Sequence, residues 1–154
     1  MAVRIGFVCM IAAAFASTAR AQTVDFTVIT AVRAGGLEGA TNTTIADYVY
    51  TVDPLSRGIT MAGAAFSVPS THDRLSLVAA GVITPAGGVG AGATGRIGRG
   101  FGVTAGVAWL FVNAPKNGKG IGDVPDNLTD PDPFEMGVAR TWFVGASYTC
   151  GRDR

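Results

Sequence analysis

Cysteine is almost missing from this 154-residue sequence: Cys9 sits in an apolar N-terminal run and Cys150 near the other end. Once the first is removed by processing, no intramolecular disulfide is available, and a thiolate metal site is excluded with it. Histidine occurs once, as His72 in the turn PSTHD beside Ser70 and Asp73. Triad members must converge by geometry, which sequence neighbours rarely do, so His72 is a poor basis for catalysis. Charged residues make up only 15% and nearly balance at +1, leaving no basic footprint for nucleic acid. Good helix formers are scarce. After Ala21 no apolar run approaches the roughly 20 residues of a transmembrane helix, so any membrane crossing must use tilted strands.

The N-terminus has its own logic. Arg4, the apolar run from Ile5 to Ala16, and Ala19-Arg20-Ala21 ahead of Gln22 follow the n-region, h-region and A-x-A order of a secretory signal peptide. Cleavage after Ala21 is expected, dividing the chain into a signal segment (1–21) and one β-domain (22–154). Losing Arg4 and Arg20 leaves ten basic residues against eleven acidic ones.

What the domain has in abundance is glycine, alanine, threonine and valine, set in alternating patterns. In Phe101 to Asn113, FGVTAGVAWLFVN, the residues Phe101, Val103, Ala105, Val107, Trp109 and Phe111 fall on one face, with Gly102, Thr104, Gly106 and Ala108 on the other. Period two is strand geometry, and one greasy face against one small face suits a strand between lipid and a barrel interior. Six other segments read as strands: Thr23 to Arg33, Ile45 to Val52, Gly58 to Val68, Arg74 to Thr84, Val89 to Ile97, and Met136 to Cys150. Short Gly, Pro, Asn and Asp turns between several of them leave no room for crossover helices. The fold expected is all-β, an antiparallel up-and-down meander forming a small, about 8-stranded, or partial membrane β-barrel. Seven strands do not match the even count of such barrels. The sequence leaves three remedies: one N-terminal segment does not span, an eighth strand hides in Gly35 to Thr44, or the chain is a half-barrel that needs further copies of itself to cover its edges.

Between Ala114 and Glu135 the pattern breaks. Pro115, Pro125, Pro131 and Pro133 interrupt it, and Asp123, Asp126, Asp130, Asp132 and Glu135 make it acidic. This reads as a solvated external loop in preference to a divalent-cation or lipopolysaccharide-bridging site, because the spacing is not that of an EF-hand and prolines interrupt it. The run Gly87 to Gly92 lacks the helix and Lys-Ser/Thr pair of a phosphate-binding loop. Phe101, Trp109, Phe111, Trp142 and Tyr148 are candidates for an aromatic girdle on the lipid face, as are Tyr48 and Tyr50. Arg33 and Arg96 are candidate lumen charges; Arg140, on the Trp142 face, is expected to snorkel at the interface.

The last strand carries a resemblance. ARTWFVGASYTC is similar to the C-terminal strand of bacterial outer-membrane β-barrel proteins, where alternate apolar positions lead to a terminal aromatic, commonly in a Tyr-x-Phe ending. Tyr148 matches; Cys150 stands where Phe is usual, and four residues follow it. DRLSLVAAGVITP and GRGFGVTAGVAWLFV also resemble barrel hairpins, including those near the end of outer-membrane long-chain fatty-acid transport proteins. The resemblance implies that Trp142, Val144, Ala146, Tyr148 and Cys150 belong to the strand read by the barrel-assembly machinery, with outer-membrane lipid as the other partner. A non-enzymatic, cofactor-free, porin-like protein with a structural or passive-permeation role is expected; the competing expectation is a secreted soluble β-sandwich that binds or adheres.

Overall fold

The computed structural model describes residues 24–67, 74–130 and 132–150. The expected signal segment, His72 and the tail after Cys150 lie outside the described residues. Nine strands are present among those described: β1 (Val24–Arg33), β2 (Glu38–Gly39), β3 (Thr43–Ala46), β4 (Val49–Val52), β5 (Gly58–Ser67), β6 (Leu75–Thr84), β7 (Gly88–Arg96), β8 (Phe101–Pro115) and β9 (Phe134–Cys150). All pairings are antiparallel, as short turns between alternating segments require.

The long strands form one meander that bites its own tail. β1, β5, β6, β7, β8 and β9 pair in that order, and β9 then pairs back onto β1 from Phe26↔Cys150 to Arg33↔Phe143. Six strands close the ring, so both long edges are satisfied within the chain. This is a sheet closed on itself, not the two facing sheets of a sandwich.

The ring also answers the odd strand count. Of the seven segments read as strands, Ile45 to Val52 does not join the wall: it folds as the β3–β4 hairpin, turned at Asp47 and Tyr48, whose φ values are both positive (51° and 68°). That is the backbone of a two-residue type I′ turn, normally announced by Asn-Gly or Asp-Gly. With Tyr in place of Gly the signal was masked. Gly35 to Thr44 supplies only the two-residue β2 and the first residues of β3.

Alternation fixes the faces. In β8, Gly102, Thr104, Ala108, Leu110 and Val112 are buried while Phe101, Val103, Trp109 and Phe111 are exposed. β1, β6 and β9 repeat the pattern, with Ile29, Val82 and Phe143 inward and Phe26, Leu77 and Trp142 outward. Ile29, Ile59, Met61, Leu110 and Phe143 meet in the interior. Thr27, Thr94, Thr104 and Ser147 are buried nearer the end where β1 begins and β9 finishes, and Thr94 Oγ1 lies 2.6 Å from Thr104 Oγ1.

A ring of six strands is narrower than the eight-stranded ring whose interior side chains just fill. Inward positions must therefore be small. A Cβ on Gly106 would lie 2.2 Å from the Ala91 carbonyl oxygen and 2.7 Å from Cα of its partner Gly92; one on Gly145 would lie 2.3 Å from both the Thr30 oxygen and Ala31 Cα. These glycines let neighbouring backbones turn inward sharply. Gly106→Ala is expected to cost about 1–3 kcal/mol by overpacking, read as a lowered urea midpoint, whereas Ala105→Val on the exposed face of the same strand should leave the midpoint unchanged.

Candidate functional site

Two surfaces stand out: the apolar outer wall and a crown of loops over one end. On the wall, Phe101 (61% exposed), Trp109, Phe111, Trp142 (52%) and Tyr148 all point outward. Phe101 and Tyr148 face each other across β8 and β9 with ring centroids 4.9 Å apart, at the end away from the crown. Trp109 lies opposite Arg140 near the crown, and Trp142 neighbours Phe143, which pairs with the crown end of β1. Along the β8–β9 pair, Phe101 and Tyr148 thus stand at one end, Trp109 and Phe111 toward the crown, and Trp142, the cross-strand partner of Val107, between them with Val103, Ala105, Val144 and Ala146. Val144, Ala146, Tyr148 and Cys150 share the outward face of β9.

Arg140 stands on this wall and forms an exposed ion pair with Glu38 of β2. Arg33 and Arg96 have inward parity but sit at opposite mouths of the ring, not halfway along it. Arg33 donates from Nη2 to the Leu55 oxygen at 2.7 Å, at the crown end; Arg96 closes β7 at the other.

The crown grows from the long hairpin. β8 and β9 remain paired out to Pro115↔Phe134, beyond Gly88↔Leu110 where β7 begins. The β3–β4 hairpin leans on this extension through Asn42, a buried residue. Its Nδ2 donates to Asp53 Oδ2, and its Oδ1 accepts from the Asn113 N–H at 3.0 Å. Tyr50 then locks the hairpin to the acidic loop. The Tyr50 N–H donates to the Asp123 oxygen (2.9 Å), its carbonyl accepts from Gly122 (2.8 Å), and its hydroxyl donates to the Pro133 oxygen (2.7 Å). The ring of Tyr50 is 2% exposed and meets Phe134 edge-on. This corrects the expectation that Tyr50 belongs to a girdle; Tyr48 is likewise at the exposed hairpin tip, off the wall.

The acidic residues are largely occupied with the loop's own polar groups. Asp126 bonds Lys119 and Asn117, Asp130 bonds Lys116, and Asp123 accepts from the Gly120 N–H. No cluster of three potential metal ligands occurs among the described residues. Lys119, hydrogen-bonded to Asp126, holds the Asp126 carboxyl below its ordinary value; the Asp132 N–H and then Lys116 do the same for Asp130. Asp126 is exposed and Asp130 half-exposed, so the pairs are weak and screened by salt.

Legible in sequence were the wall aromatics, from period two. Asn42, Tyr50, Asp53 and Pro133 were not, because their partners lie in distant loops that no periodicity links.

Tyr50→Phe should cost about 0.5–1.5 kcal/mol by loss of one hydrogen bond, whereas Tyr50→Ala should cost about 3–5 kcal/mol by analogy with buried aromatic truncations. Trypsin cleavage at Lys116 and Lys119 should accelerate far more in the alanine variant, while ring strands stay protected. Acid should loosen the same loop. A carboxyl whose folded value is depressed stabilises fully above its unfolded value and loses that contribution as pH falls through the folded one. Amide resonances of residues 116–130 should therefore shift with a midpoint below 3.8, while those of β5, β6 and β7, strands without a carboxylate, stay unmoved. Comparison with family models, with curated proteins and with solved structures returned no match.

Proposed function

We propose that the chain is an outer-membrane β-barrel with a structural, non-enzymatic role: a filled, closed wall that holds a crown of loops at the membrane surface. The observation that carries this reading is the outward face of a ring without free long edges. Phe26, Leu77, Val103, Trp142, Val144 and others expose large apolar side chains around it, far more than scattered surface hydrophobics on a soluble protein. Ring strands of 10, 10, 10 and 9 residues in β1, β5, β6 and β7 match the roughly 9–11 residues of a tilted membrane strand. Backbone groups satisfied by ring closure are what hydrocarbon demands.

Within this reading the interior favours a structural role over passive permeation. Met61, Leu110, Ile29 and Phe143 are buried across the space a channel would need. Orientation follows from loop lengths: outer-membrane barrels keep periplasmic turns short and extracellular loops long. The crown then faces outward, and Cys150 lies on the periplasmic side. The even ring removes the inverted N-terminus that seven spans would have imposed.

A secreted soluble binding module competes, since six strands are fewer than the eight of the smallest bacterial membrane barrels. Envelope fractionation separates the two. The expected outcome is a mature protein starting at Gln22 in the outer-membrane fraction, with heat-modifiable gel mobility and no conductance in planar bilayers; recovery from soluble periplasm supports the competitor. Val107→Arg should cost about 2–4 kcal/mol of barrel stability if that residue meets the bilayer midplane, and an unaltered urea midpoint would place lipid elsewhere. A membrane-impermeant maleimide on intact cells should react at Asn117→Cys in a Cys150→Ser background and spare native Cys150; the reverse pattern inverts the topology.

A further inference from the structure

The outer wall has two textures. β8, β9 and β1 carry large outward side chains, whereas the middle of β5, β6 and β7 presents Ala62, Ala64, Ala79, Gly81 and Ala91. The shortfall leaves a groove of about 610 Å³ sunk into the wall. Phe26 and Phe66 flank one side and Trp109 the other; Asp25 is the one charged residue in its lining. It runs from Val24 and Asp25, at the end away from the crown, towards Val89 and Gly81.

We infer that this groove seats one acyl chain of a membrane phospholipid, with the headgroup at the lip near the outward-facing Val24, in the leaflet opposite the crown. The inference rests on the bilayer reading above and adds a defined lipid site to it. The volume lies within the roughly 300–1,000 Å³ of small-molecule sites. An apolar hollow left unfilled loses the dispersion contacts its lining could make, and a flexible hydrocarbon chain restores them.

A second copy of the chain fits less well. A two-fold contact sets the same patch against itself, so two hollows would face each other across a void. The floor is also small: three strands about 4.8 Å apart and ~10 residues long at about 3.3 Å per residue cover roughly 500 Å², short of the ~800 Å² per partner of a stable interface.

The two tryptophans of the chain provide the test, because Trp109 borders the groove and Trp142 stands on β9 outside it. The full mature chain, refolded in detergent, is titrated with a phospholipid brominated along its acyl chain. Emission is followed from Trp109 in Trp142→Phe and from Trp142 in Trp109→Phe. Trp109 should reach half-quenching at a severalfold lower lipid-to-protein ratio. Filling the floor with Ala64→Leu and Ala79→Leu should abolish that difference, and Ala105→Leu on β8 should preserve it. Heat-modifiable mobility certifies folding of each sample; Ala91→Leu serves if the double variant does not refold. Parallel quenching of both tryptophans, or a difference indifferent to filling, overturns the inference. A chain that folds and stays in solution without detergent overturns the bilayer reading instead, and the membrane-lipid assignment with it.

Discussion

Space inside a six-stranded ring is the constraint from which the rest follows. Each strand must bend further around the axis than in a wider barrel, and neighbouring backbones crowd on the concave side. Gly92 and Gly106 face each other across β7 and β8, and Gly145 lies against Thr30 and Ala31 where the ring closes. The bulk excluded from the interior goes elsewhere. Met61, Leu110, Ile29 and Phe143 fill the little room that remains, and the larger aromatics stand on the convex side. On the proposed outer-membrane reading, hydrocarbon around the ring would suit those exposed aromatics, while the apolar interior packs on itself.

The two ends of the ring are built on different principles. At one end Ile97 and Gly98 donate back to the Phe101 oxygen in a tight turn, and among the described residues little rises above the sheet. At the other, β8 and β9 continue past the ring, and two loops far apart in sequence are joined at Asn42 and Tyr50. Neither loop could order itself alone. The β3–β4 pair is short, and an isolated two-stranded hairpin is marginal in water; the acidic segment has almost no regular structure. Their mutual contacts, with Leu37, Ala40 and Leu55 resting on the interior cluster, make an ordered crown from two weak pieces.

Period-two alternation made most of the wall readable in the sequence. It identified the six ring strands and placed Phe101, Trp109, Phe111, Trp142 and Tyr148 on the outward face. Closure was not readable: β1 and β9 pair through backbone groups that every residue carries, and nothing in TVDFTVITAVR names its partner. The Asp47–Tyr48 turn was hidden because its second left-handed position is held by Tyr48, a residue type that seldom adopts that backbone. Arg33 and Arg96 showed the right parity, yet parity says nothing of height along the axis. The crown was least legible, since Asn42 to Asn113 and Tyr50 to Pro133 are contacts between loops.

Ring closure has a consequence for the order in which the protein is made. The Thr27 hydroxyl meets the Tyr148 carbonyl across 121 positions, whereas β5 through β9 each pair with a neighbour in sequence. Local hairpins can zip early; the seam has to wait for the final strand, and its loop-closure entropy is met only then. Until that moment the chain is an open ribbon with two sticky borders, the state most prone to pairing with another molecule. The last strand is therefore the fastener of the whole structure, and a chain stalled before Phe143 would have every hairpin from β5 to β8 and still no barrel.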